Sequence, residues 1–293
     1  MNNKNNPLLL RPSGKDYLWG GKRLNDEFAK GIPMSPLAET WECSVHPDGP
    51  SYVVNKEFEN KTLREVLEQH TEFLGTKHTN GFPLLIKFID AKEDLSIQIH
   101  PDDEYAFKYE NGERGKTEMW YVLDATKDAT LIYGLKRDIT KEELLKAITD
   151  NTLTKYLQYV PVKKGDVFFI EPGTIHAINA GALIVEIQES SNLTYRLYDY
   201  NRIDKNGKKR DLHIQKALNV ARLTKAIEPS QPMRVLKYEQ GKASELLCHS
   251  KYFEVYRMII NTERRQTVTY STDDLSFKVL LCVQGCGTIS YGN

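Results

Sequence analysis

The sequence predicts a mainly β protein, an antiparallel sandwich or barrel with inserted helices, and three observations carry that expectation. Short segments rich in Val, Ile, Phe and Tyr recur along the chain, each bounded by Gly, Pro, Asn or Asp. Several alternate polar and apolar residues, the period of a strand with one face against a core. Helical patterns are few and scattered, which argues against a regular alternation of strand and helix.

In chain order the expected strands are "SYVVN", "FPLLIKFID", "LSIQIH", "EMWYVLDA", "ATLIYGL", "YVPVKKGDVFFIEPG", "ALIVEIQ" and "TYRLYDY". Three helices interrupt them. "KTLREVLEQH" has helical apolar spacing, "ITKEELLKAITDNTLTKYLQ" begins with Thr140 three residues before Glu143 as a capping box does, and "DLHIQKALNVARL" opens on Asp211. The following "EPSQP" reads as a boundary between a catalytic unit, residues 1–230, and a small β unit, residues 231–293. In the second unit strands are expected at "FEVYRMII", "QTVTYST" and "SFKVLLCVQGCGTISYGN", with Gly285 and Gly287 in a hairpin turn.

Lys plus Arg equals Asp plus Glu at 40 each, so no global field attracts nucleic acid or an anionic membrane, and a small polar ligand is compatible with that balance. Cys43, Cys248, Cys282 and Cys286 are too few and too scattered for a disulfide framework. The N-terminal apolar run is three leucines, short of a secretion signal, and no run approaches the ~20 residues of a membrane span. A soluble cytoplasmic protein is expected.

On "LSIQIH" the apolar Leu95, Ile97 and Ile99 point to one side and Ser96, Gln98 and His100 to the other. Glu118 opens the next strand, and His176 follows the turn "EPGTIH". Antiparallel strands can bring two imidazoles, a carboxylate and an amide oxygen into one ring, a mixed N/O set that suits zinc. An amide oxygen binds zinc weakly, so for Gln98 a plain hydrogen-bonding role stands beside ligation.

"GDVFFIEPGTIHAIN" resembles the second cupin motif, and "IHPDDEYAFKYENGERGKTEMW" a stretched first one. Together with "YLWGG", "AETWECSVHPDGPS" and "YRLYDYNR", these stretches resemble the type I phosphomannose isomerases, in particular their short bacterial form, from about residue 8 to the end. The resemblance implies a tandem cupin (jelly-roll β-barrel) fold, bound zinc, and interconversion of mannose 6-phosphate and fructose 6-phosphate. It further implies His100, Glu118 and His176 as zinc ligands with Gln98 a fourth, Arg196 as the catalytic arginine, and Lys116 and Ser96 as pocket residues. Two departures stand out: Ser190, Ser191 and Asn192 replace a Ser-Asp-Asn run of longer members, and Ile178 replaces their tyrosine.

Isomerising an open-chain sugar phosphate moves a proton between neighbouring carbons through a cis-enediol, whose negative oxygen needs a cation beside it. Lys116 and Glu186 are both candidates for carrying the proton. Arg196 offers a fork for the phosphate or the enediolate, against a plain ion pair with Asp199. Two other functions use similar parts: an iron dioxygenase with a His/His/carboxylate triad, and a sugar-sensing cupin acting through a partner. No basic recognition helix favours the latter.

Overall fold

The computed structural model describes residues 6–204, 207–263 and 267–291. Strands dominate it. The larger sheet has the order β10 (Val167–Ile170), β7 (Glu118–Ala125), β12 (Ala182–Glu189), β5 (Leu84–Asp90), β3 (Glu39–Cys43) and β2 (Ser13–Lys15). The second runs β13 (Tyr195–Tyr198), β6 (Ile97–Ile99), β11 (His176–Ile178), β8 (Thr130–Leu135) and β9 (Leu157–Pro161). Every pairing in both is antiparallel. A ribbon of β1 (Leu10–Arg11) and β4 (Tyr52–Val53) and a sheet of β14 (Lys237–Glu239), β15 (Lys242–His249) and β16 (Glu254–Ile260) complete the strands described.

The two large sheets face each other. Trp120, Val122, Ile89 and Ile184 of the first pack against Leu131, Ile178 and Val160 of the second. The outer face of the larger sheet is covered by α2 (Leu63–Gln69) and the C-terminal sheet, through Val66, Leu67, Leu247 and Phe253. The outer face of the second is covered by α4 (Lys141–Thr149) and α5 (Ile214–Val220), through Leu144, Ile148, Ala217 and Leu218. Both sheets are thus buried on two faces, and this explains why β5 and β12 read as near-continuous apolar runs.

The expected capping box at Thr140 and Glu143 opens α4, and Thr62 with Glu65 makes another at α2. Helix α5 begins three residues after Asp211, behind His213. Two helices have no counterpart in the sequence reading: α1 (Arg23–Asp26) and α3 (Asp103–Tyr109), the latter capped by Asp102, which accepts from Tyr105 N at 2.8 Å.

The C-terminal expectation needs correction. Strand β16 forms where "FEVYRMII" predicts it, but the described residues of "QTVTYST" and "SFKVLLCVQGCGTISYGN" carry no strand; Gln266 and residues 292–293 lie outside the described set. The chain there instead runs along residues 74–77, with Thr76 N donating to Asp274 O and Phe277 N to Leu74 O. Phe277, Val279, Leu281 and Val283 then rest on the core. The period-two alternation is real, but it serves packing without a ladder partner. The expected linker is also not free: Gln231 donates to Val167 O and accepts from Val167 N, closing the edge of β10. No helix of the described residues is long and apolar enough to cross a membrane.

Candidate active site

Strand register assembles the site. Across the inner face of the larger sheet, Phe168, Trp120, Glu186, Lys87 and Trp41 stand side by side on five neighbouring strands. Across the facing sheet, Tyr133, His176, Gln98 and Arg196 form a second row. Glu118 sits between Ile170 and Gln188 at the start of β7, and His100 lies just past β6. Residues far apart in sequence meet because paired strands put partner residues on the same face.

His100, Glu118 and His176 converge. Their ligating atoms lie within 4.8 Å of one another, and all three side chains are buried. The two Nε2 atoms are 3.1 Å apart, and the Glu118 oxygens stand 3.3 Å from His176 Nε2 and 3.5 Å from His100 Nε2. Each imidazole turns its Nδ1 to a backbone carbonyl, His100 to Leu193 at 2.7 Å and His176 to Thr174 at 2.9 Å. A carbonyl can only accept, so Nδ1 carries the hydrogen and Nε2 presents a lone pair. Burial pushes His176 down to about 4 and His100 well below its ordinary value, which keeps both rings neutral. Among the described residues, none donates a hydrogen bond to Glu118 Oε1. Two lone pairs and a carboxylate oxygen without a donor, aimed at one point, repel unless a cation lies among them, so the donor set fits a divalent metal.

Beside this cluster lies a buried charge network. Lys116 Nζ is 2.9 Å from Glu118 and 3.7 Å from Glu186; Lys87 Nζ is 3.2 Å from Glu186 and 3.9 Å from Glu39. None of these five residues is more than 7% exposed. Burying ionised groups costs several kcal/mol each before pairing repays it, so an apolar core would be a cheaper scaffold, and such a network marks a functional site. Trp120 and Trp41 donate to Glu186 and Glu39 at 3.0 and 2.8 Å. Burial alone would raise Glu186, but Lys116 and Lys87 outweigh it and hold the carboxylate ionised. Burial, with the charge of Glu186 added, raises Glu118.

A cavity of about 440 Å³ is lined by Lys116 and Glu186 of this network and also by Arg196, Arg210, His213 and Lys216. Arg196 donates from Nε to Ser96 Oγ at 3.3 Å and from a terminal nitrogen to Asp211 O at 2.9 Å. Asp199 instead binds Arg202 and Arg210, so the ion pair weighed for Arg196 is not the one that forms. Glu186 is not an exposed residue of an alternating strand but a buried one. Gln98 sits with Nε2 3.5 Å from His176 Nε2. At the two departures, Ile178 makes an apolar wall of the cavity, and Asn192 reaches it while donating to Asp48. Sequence reading missed Lys87, Glu39, Arg210, His213 and Lys216. Of these only Lys87 left a signal, a charge in the middle of the apolar run "LLIKFID".

The family profile of the phosphomannose isomerase type I catalytic domain matches residues 8–115. A putative mannose-6-phosphate isomerase of Bacillus subtilis is 39% identical over 97% of this chain and 88% of its own length. The chain belongs to the type I phosphomannose isomerase family. A second protein of that bacterium, the mannose-6-phosphate isomerase ManA, is 45% identical over 85% of this chain and 78% of its own. The crystal structure of a mannose 6-phosphate isomerase from the same organism superposes with a TM-score of 0.82 at 40% identity, covering 87% of this chain and 80% of that one. This family member thus shares its architecture with a solved isomerase.

Proposed function

We propose that the chain interconverts mannose 6-phosphate and fructose 6-phosphate, with zinc held by His100, Glu118 and His176 and by the amide oxygen of Gln98. The observation that supports it best is the convergence of three buried donors beside a lysine–carboxylate network, in a chain whose relatives carry that activity in their names. A half-turn of the Gln98 amide exchanges its nitrogen and oxygen, so that the oxygen takes the side now facing His176. When bound, zinc supplies a Lewis acid that stabilises the negative oxygen of a cis-enediol.

The chain's own residues do the rest. Arg196, with Arg210, His213 and Lys216 around the same cavity, receives the phosphate dianion and leaves the carbonyl end pointing at the buried cluster. Lys116 and Glu186 are the candidates for moving the proton between C1 and C2. To act as the carrier, Lys116 must first give up a proton, and the ionised Glu186, 3.7 Å away, is the group placed to take it; the free amine then removes the proton from one carbon and returns it to the next. Ser96 orients Arg196. Ile178 and Trp120 keep the reacting carbons in an apolar, water-poor wall.

The facing sheets and the cupin-like motifs support a jelly-roll barrel, with residues 231–293 as an attached small β unit. The cysteines are all free, which suits a cytoplasmic setting. A coupled assay of mannose 6-phosphate conversion, run before and after chelation, tests the function: activity should vanish with the chelator and return with zinc. Oxygen uptake with no sugar-phosphate conversion would sink the proposal. Gln98→Ala is expected to weaken zinc retention by about 10- to 100-fold, the range seen when a supporting partner of a metal is lost, yet to keep measurable turnover at saturating zinc. Metal titration followed by the same assay checks it, and complete loss of binding would promote Gln98 to an indispensable ligand.

A further inference from the structure

Lys116 lies in a stretch, residues 113–117, with no regular structure, so its place is set by what grips the backbone on either side. Lys116 N donates to Pro101 O at 3.1 Å. On one side Gly115 N donates to Asp103 Oδ1 at 3.1 Å. On the other, Thr117 N donates to Glu189 Oε1 at 2.8 Å and Thr117 O accepts from Glu189 N at 3.1 Å. The fit at Gly115 is close: a Cβ there would stand 2.4 Å from the Asp102 carbonyl carbon and 2.5 Å from Asp103 N. Helix α3 and the lysine segment therefore touch backbone to backbone.

Asp103 has a second oxygen, and it is held from the C-terminal sheet. Tyr252 OH donates to Asp103 Oδ2 at 2.8 Å. Tyr252 stands in the turn between β15 and β16, where Ser250 Oγ accepts from the backbone N–H groups of Tyr252 and Phe253 at 3.2 and 3.1 Å. The other charged neighbour of Asp103 in that turn, Lys251, is 3.8 Å away and largely exposed.

We propose that Tyr252 is a positioning residue for the reaction: through Asp103 it fixes the Gly115–Thr117 backbone, and so the place of the Lys116 ammonium between Glu118 and Glu186. This rests on the reading of Lys116 as the proton carrier. The C-terminal sheet is then more than a cover for the core. Without the phenol, Asp103 loses the donor that sets its rotamer, the Gly115 bond loosens, and Lys116 gains freedom beside the reacting carbons. A displacement of about 1 Å can cost on the order of 100-fold in rate.

Tyr252→Phe, which removes one oxygen atom, is expected to lower kcat by about 10- to 100-fold while KM and zinc content stay within about twofold. Val255→Ala, which thins the packing of the same sheet without touching Asp103, should lower Tm and leave kcat unchanged. In a Lys116→Met background, Tyr252→Phe should have no further effect on the residual rate, since the group it positions is gone. An unchanged kcat in Tyr252→Phe, or an equal loss in Val255→Ala, overturns the proposal. Should Lys116→Met itself keep the full rate, the reading of Lys116 fails instead, whatever Tyr252→Phe does.

Discussion

Replacing His176 with alanine is expected to strip the metal from the protein and to reduce mannose 6-phosphate conversion to background. The ring's Nε2 is one of three donors that point at each other, and its Nδ1 bond to Thr174 fixes the tautomer that presents the lone pair. Removing it leaves Glu118, already short of a donor at Oε1, with one imidazole where there were two. The loss should far exceed that of Gln98→Ala, because an imidazole is a strong zinc ligand and an amide oxygen a weak one. Zinc content by elemental analysis, read beside the coupled assay, decides the matter. A His176→Ala protein with full zinc and full rate would remove His176 from the metal site.

Arg196→Lys is expected to cut turnover by roughly 100- to 1000-fold, the cost of losing one preorganised group at a developing charge, with zinc content and folding unchanged. Arg196 touches Ser96 and the Asp211 carbonyl but none of His100, Glu118 or His176, so the metal site should survive. A lysine keeps the charge and loses the planar fork that can hold a phosphate or an enediolate by two bonds. A loss in kcat would place the contact in the transition state; a loss confined to KM would place it on the ground-state phosphate. Equal kinetic constants in the two proteins would return Arg196 to an ordinary surface role.

Much of this protein is written locally in its sequence. Most strand segments up to residue 200 were legible because β-branched residues, alternation and turn residues agree, while β1, β2, β3 and β11 were not read as strands; the Thr140/Glu143 box was legible because a cap is a contact between near neighbours. The donor cluster was legible in part: Ser96, Gln98 and His100 had to share a face, and His176 stands on the strand beside Gln98, while Glu118 comes from the facing sheet. Other features needed the tertiary structure. That Glu186 meets Lys87 rather than water follows from the register of β12 on β5, which no local pattern encodes. That Arg196 opens on the cavity while Asp199 is taken by Arg202 and Arg210 depends on where the tertiary fold places those two arginines. The absence of strands among the described residues after 266 shows the same limit. Alternation in Phe277, Val279, Leu281 and Val283 specifies a buried face, but a strand also needs a partner edge, and the chain found a packing surface instead. Periodicity reports which side of a segment avoids water; only the assembled sheets decide what lies on that side, because the contacts that choose it join residues far apart along the chain.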